Sequence, residues 1–167
     1  MEQILAHIPA LRRYARLLTG DAARADDLVQ DTLERACQRW AQWQAGTALR
    51  SWLLTLMHNL YLNHLRDWRH DDGHAALDDV AEAGHEPILQ RGEQLDMERA
   101  LGRLPAAMRE VLLLVTVEEY TYQEAAGILQ LPIGTVMSRL HRAREQLRGL
   151  LSPALDGRGP GLQLVKR

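Results

Sequence analysis

The sequence predicts an all-α protein of two small helical domains joined by a flexible acidic linker. Three observations predict it. Leu, Ala, Arg, Glu and Gln dominate, Phe is absent and β-branched residues rarely cluster, a balance that favours helix over sheet. Apolar residues recur at three- and four-residue steps through both halves of the chain. Between them, His70–Gln90 has no periodicity and carries Gly73, Gly84, Pro87 and many acids, which reads as a linker.

Taken in order, Ile4, Ile8, Leu11, Ala15 and Leu18 predict a first helix over Ile4–Leu18. Gly20-Asp21 ends it, and Asp21 suits the N-cap of a second helix to about Trp40. Val29, Leu33, Ala36 and Trp40 form its buried stripe. Its acids lie early and Arg35 and Arg39 late, matching the helix dipole. A third helix, about Leu49–Trp68, is apolar on most sides and so belongs at the centre of its core. After the linker, Gln94–Leu104 resumes helix and Pro105 opens another through Val115. Thr121-Tyr122-Gln123-Glu124 is a capping box, so a helix starts there and ends near Gln130. Pro132 opens the last long helix, to about Leu151, and a mobile, Gly- and Pro-rich tail follows. The domain bounds expected are 1–69, a linker over 70–92, 93–152, and a tail over 153–167.

Charge and composition exclude several classes. No apolar run approaches the roughly 18 residues of a membrane span, and Met1–Ala10 lacks the pattern of a secretory leader. One cysteine, Cys37, permits no internal disulfide, and a reducing cytoplasm is the simplest compartment. The net charge of −2 and pI of about 6.4 argue, taken whole, against a nucleic-acid binder. The charge is uneven, however. Asp67–Glu98 holds about ten acids against two arginines, leaving the rest near +6. The histidines lack zinc-site spacing, and no phosphate loop, nucleophile elbow or His-Glu-x-x-His occurs, so neither metal, cofactor nor catalysis is expected.

Three constellations could carry function. Thr121–Leu150 combines a capped short helix, a tight turn and a second helix, the pattern of a helix-turn-helix. Val136, Leu140, Ala143, Leu147 and Leu150 would face inward. Thr135, Ser138, Arg139 and Arg142 would face outward, as donors near the helix start where the major groove is read. On the third helix, Thr55, Asn59, Asn63, Arg66 and His70 share a face, and asparagine is a poor interior helix former. Such a stripe can bond exposed base edges, although spacing alone favours an ordinary wetted face. The acidic second helix is a solvated surface or a protein-docking one.

These residues resemble a known family. Asp26-Asp27-Leu28-Val29-Gln30-Asp31-Thr32-Leu33 resembles a signature of bacterial sigma factors, as does Arg50-Ser51-Trp52-Leu53-Leu54 followed by Asn59 and Leu65-Arg66. Tyr122-Gln123-Glu124-Ala125-Ala126, Leu131–Val136 and Ser138–Arg144 are similar to the family's C-terminal block. The likeness is to the extracytoplasmic-function (ECF) group of the sigma-70 family and spans nearly all of residues 3–151. It implies a sigma-2 domain, a linker and a sigma-4 domain. It implies that Asp26, Asp27, Gln30, Asp31 and Glu34 dock on the clamp of the RNA polymerase core. It places Asn59, Asn63 and Arg66 at the promoter −10 element, and Thr135, Ser138, Arg139 and Arg142 at the −35 element. An anti-sigma partner is implied as well, and core polymerase would supply the DNA affinity that a net-acidic chain lacks. A second reading is a sigma mimic that binds an anti-sigma protein without reading DNA. Met137 departs from the family's usual Lys or Arg, Gln130 from a common turn glycine, and Thr116-Val117 from a more charged stretch.

Overall fold

A computed structural model describes residues 2–71 and 92–156. Most of the predicted linker, and the predicted tail from 157 onward, lie outside these residues. Within them the elements are α1 (Glu2–Leu5), α2 (Ile8–Thr19), α3 (Ala22–Gln38), a 3₁₀ turn (Trp40–Gln42) and α4 (Leu49–Asp71). The second half holds α5 (Gly92–Gly102), α6 (Ala106–Thr116), α7 (Tyr122–Leu129) and α8 (Ile133–Asp156).

The predicted first helix is two helices. Pro9 has no N–H, and its ring crowds the carbonyl four residues back, so the chain breaks at Ala6-His7 before α2 begins. The α2–α3 corner follows the sequence signals. Gly20 adopts φ 69° and donates to the Arg16 carbonyl, and Asp21 accepts from the Arg24 amide at 2.8 Å. Two further bounds move. Trp40 leaves the predicted second helix for the 3₁₀ turn, where its ring lies 5.0 Å from Trp43 and 6.4 Å from Trp52. Helix α8 continues to Asp156, beyond the predicted start of the tail.

The capping box forms as predicted: Thr121 Oγ1 accepts from the Glu124 amide, and the Glu124 carboxylate accepts from the Thr121 amide at 2.8 Å. At the other end of α7, Gln130 takes φ 54° and the Leu131 amide donates to the Ala126 carbonyl at 3.0 Å. This Schellman-type turn explains why glycine suits the position. Gln130→Gly is expected to stabilise the protein by up to about 1 kcal/mol, because relief of left-handed strain exceeds the added unfolded-state entropy. A urea midpoint measures it.

The two halves do not stand apart. Helix α4 packs against α3 on one side and α7 on another, and α6 packs against both α8 and α2. Leu11, Leu18, Leu28, Leu53, Met57 and Tyr61 from the first half form one apolar cluster with Leu104, Val111, Leu114, Val136 and Leu140 from the second. A linker of about 20 residues could extend some ~70 Å, so it allowed separate or packed domains. The packed arrangement is the one observed.

Candidate nucleic-acid interface

The α4 stripe emerges as a free surface. Leu53, Met57 and Tyr61 point into the core. Asn59, Asn63 and Arg66, on the opposite face, are exposed, with Leu62 beside them. Thr55 is half-buried and its hydroxyl donates to the Ser51 carbonyl at 2.9 Å, so it is the least available member. The side chain of His70 lies outside the described residues.

The helix-turn-helix is formed by α7 and α8. Val136, Leu140 and Ala143 are buried, and Leu147 and Leu150 are half-buried, as the inward stripe requires. The outward set divides. Ser138 and Arg142 are exposed, whereas Thr135 and Arg139 are half-buried rather than fully outward. Arg139 lies within electrostatic reach of buried Glu110 on α6, an acid whose pull no helical-wheel argument contains. The Ser138 hydroxyl donates to the Thr135 carbonyl at 3.1 Å.

The acidic face of α3 is also open. Asp26, Asp27, Gln30 and Glu34 are exposed, and Asp31 is half-buried. Asp26 lies 4.0 Å from Arg12, and Glu34 accepts from Gln38 at 3.3 Å. Asp27, Gln30 and Asp31 line a shallow cleft with His64, Asp67 and Trp68. His64 Nε2 meets Asp31 Oδ2 at 2.7 Å, and the Arg24 guanidinium sits 4.9 Å above the Trp68 ring. The carboxylates occupy the second and later turns of α3, so the helix-dipole match is weaker than predicted; Asp21 alone caps the end.

The sequence did not mark the polar seam that positions these faces. Arg109 on α6 is buried, and its guanidinium donates to three carbonyls: Leu18 at 2.6 Å, Gly102 at 2.9 Å and Leu104 at 2.9 Å. One cation thus serves the C-terminal ends of α2 and α5, where carbonyls lack helical partners. Burial lowers its pKa from the ordinary arginine value. Next to it, Glu110 Oε1 meets His58 Nδ1 of α4 at 2.6 Å. Farther along, buried Glu118 pairs with Arg50 of α4 and with Arg13 of α2 at 3.6 Å. Ser51 Oγ donates to the Tyr120 hydroxyl at 3.3 Å. The adjacency of Arg109 and Glu110 ahead of an unbroken apolar run was the available signal.

Burial raises the Glu110 pKa, opposed by the His58 hydrogen bond and charge and by Arg139. Tyr14, also buried, faces the same carboxylate and is itself raised well above its ordinary value, chiefly by burial. A carboxyl raised in the folded state contributes stability below the usual carboxylate range and loses it as pH rises through the raised value. Glu110→Gln removes that loss while keeping an acceptor for His58. The variant should therefore show a flatter stability–pH curve above the usual carboxylate range, read from urea midpoints. Parallel curves for the two proteins would contradict the assignment.

Comparison with known proteins decides the family. Residues 4–58 match the sigma2 domain of PhyR, and residues 94–147 match sigma-70, region 4. The ECF RNA polymerase sigma factor EcfG of Rhodopseudomonas palustris is 39% identical over 154 residues, covering 90% of this chain and 83% of EcfG. The chain belongs to the ECF RNA polymerase sigma factors. The ECF sigma factor SigM of Mycobacterium tuberculosis is 33% identical over 149 residues, covering 87% of this chain and 73% of SigM. Among solved structures, the sigma factor RpoE of Bartonella quintana, in complex with the anti-sigma factor NepR, superposes with a TM-score of 0.74 at 33% identity. That match covers 90% of this chain and 95% of RpoE. For this ECF sigma factor, α7 and the part of α8 up to residue 147 fall inside the region 4 match, while Asn59, Asn63 and Arg66 lie just past the matched sigma2 segment.

Proposed function

We propose that this chain acts as a dissociable sigma subunit that directs bacterial RNA polymerase to specific promoters and starts transcription there. Its role is recognition, with no catalytic centre or cofactor of its own, and it acts in the cytoplasm. The observation that carries the reading is the presence of both a sigma2 and a region 4 match, in order, in one chain 39% identical to EcfG. Residues 1–69 would form the polymerase-docking and −10 half, 70–92 the linker, 93–152 the −35 half, and 153–167 the tail. Asp26, Asp27, Gln30, Asp31 and Glu34 offer the core clamp an open acidic face. Asn59, Asn63 and Arg66 offer the −10 element polar groups on a face free of packing. Thr135, Ser138, Arg139 and Arg142 serve the −35 groove, with Arg142 the most accessible cation of the set.

An anti-sigma protein holds the chain inactive, a role supported by the likeness to RpoE bound to NepR. The sigma2 match to PhyR favours a second reading, a mimic that binds the inhibitor without reading DNA. The exposed Asn59, Asn63 and Arg142, which a mimic has no need to keep, weigh against it.

Replacing Arg139 and Arg142 together by alanine tests the −35 role. An arginine bonded to a base edge is worth about 1–3 kcal/mol, so promoter affinity of the reconstituted holoenzyme should fall at least tenfold. Unchanged promoter selectivity in the double variant would remove both residues from the interface.

A further inference from the structure

The first two turns of α8 offer a groove less hydrogen-bonding chemistry than their sequence advertises. The Ser138 hydroxyl hydrogen is committed to the Thr135 carbonyl. Arg139 is half-buried and within electrostatic reach of Glu110, and His141 Nε2 lies 3.4 Å from Glu145. Apart from Ser138, the side chains these turns expose are apolar. Ile133 is 42% exposed and Met137 50% exposed. Residues four apart lie one above the other on a helix, so the two side chains form a continuous edge. Gly134 stands between them, and a Cβ there would meet nothing within 4 Å, so the backbone is open to a close neighbour.

We propose that Ile133 and Met137 are specificity determinants that read thymine, by packing on its C5-methyl group in the major groove of the −35 element. The inference rests on the promoter-reading role above. Thymine is the only base that presents a methyl group in the major groove, and apolar side chains are its natural partners. Both residues sit at the start of the second helix of the helix-turn-helix, where base edges are reached. Methionine is unbranched and polarizable, so it adapts to a methyl whose position shifts with DNA shape. A Lys or Arg at position 137 would instead seek phosphate or guanine. The apolar edge therefore trades a charged contact for a preference for A·T pairs. A protein partner is the other class of occupant; the exposed Arg142 farther along the helix favours DNA.

The test uses the full chain assembled with bacterial core polymerase and promoter duplexes randomised across the −35 region. Wild type should enrich thymine at one or two positions. In the selected duplex, replacing those thymines by deoxyuridine removes only the methyl. Binding should weaken about three- to fivefold per contacted methyl, the value expected for one buried carbon group. Met137→Ala or Ile133→Ala should abolish that sensitivity and keep the rest of the consensus. Met137→Lys should shift the enriched position towards G·C. A consensus whose deoxyuridine duplex binds as tightly as its thymidine duplex overturns this inference alone and leaves the apolar edge to a protein partner. A pool that stays random overturns the promoter-reading role and this inference with it.

Discussion

Arg109→Ala is expected to lower stability by about 3–5 kcal/mol, a large share of the ~5–15 kcal/mol that holds a typical domain together. The reason is specific. The guanidinium satisfies the carbonyls of Leu18, Gly102 and Leu104, and the residue is almost wholly buried. Removing it strands those acceptors away from water, and each stranded group costs about 1–3 kcal/mol, partly offset if water enters. Leu18 belongs to the first half of the chain and Arg109 to the second, so the substitution also loosens the seam between them. Arg109→Lys, which has no planar fork, should fall between alanine and wild type. As a control, exposed Arg142→Ala should change stability by no more than about 0.5 kcal/mol. A shift in the urea midpoint of Arg109→Ala no larger than that of the control would refute the role of Arg109 in the seam.

The paired substitution Asn59→Ala and Asn63→Ala is expected to cripple promoter opening and leave polymerase binding intact. Both side chains are exposed and lie opposite the buried face of α4. Two polar contacts to bases, at about 1–3 kcal/mol each, predict at least a tenfold loss of open complex. Misfolding is a poor explanation for such a loss, because alanine is the better helix former by several tenths of a kcal/mol at each site. Permanganate reactivity of melted thymines reports opening, and co-elution with core polymerase reports docking. Undiminished footprints would take both asparagines off the −10 surface.

Much of this architecture was legible because local signals and tertiary packing agree. Asp21 and Thr121 cap the helices that their positions announce, and Val136, Leu140 and Ala143 face inward as their spacing requires. The helix-turn-helix could therefore be read from a capping box and one apolar stripe. Other features were not legible, for identifiable reasons. Pro9 splits the first helix despite an unbroken apolar period, because periodicity does not register a missing amide. Arg109, Glu110 and Glu118 look like ordinary surface charges in sequence. Their burial depends on α6 meeting α2 and on His58 and Arg50 of α4 reaching Glu110 and Glu118, contacts between segments separated by the linker. Arg139 belongs with them. Its spacing assigns it outward, but the Glu110 carboxylate lies on another helix and exerts its pull only in the folded chain. The asparagine stripe carried no decision on spacing alone; the family resemblance singled it out, and the fold leaves it exposed.

Promoter recognition as a polymerase subunit is open to a direct assay: runoff transcription with purified bacterial core polymerase, this chain and genomic DNA fragments, in reducing, low-salt buffer without any inhibitor. Discrete transcripts should appear only when the chain is added, from start sites sharing common −35 and −10 sequences. A chain that neither co-elutes with core polymerase nor yields such transcripts would not be a working sigma subunit.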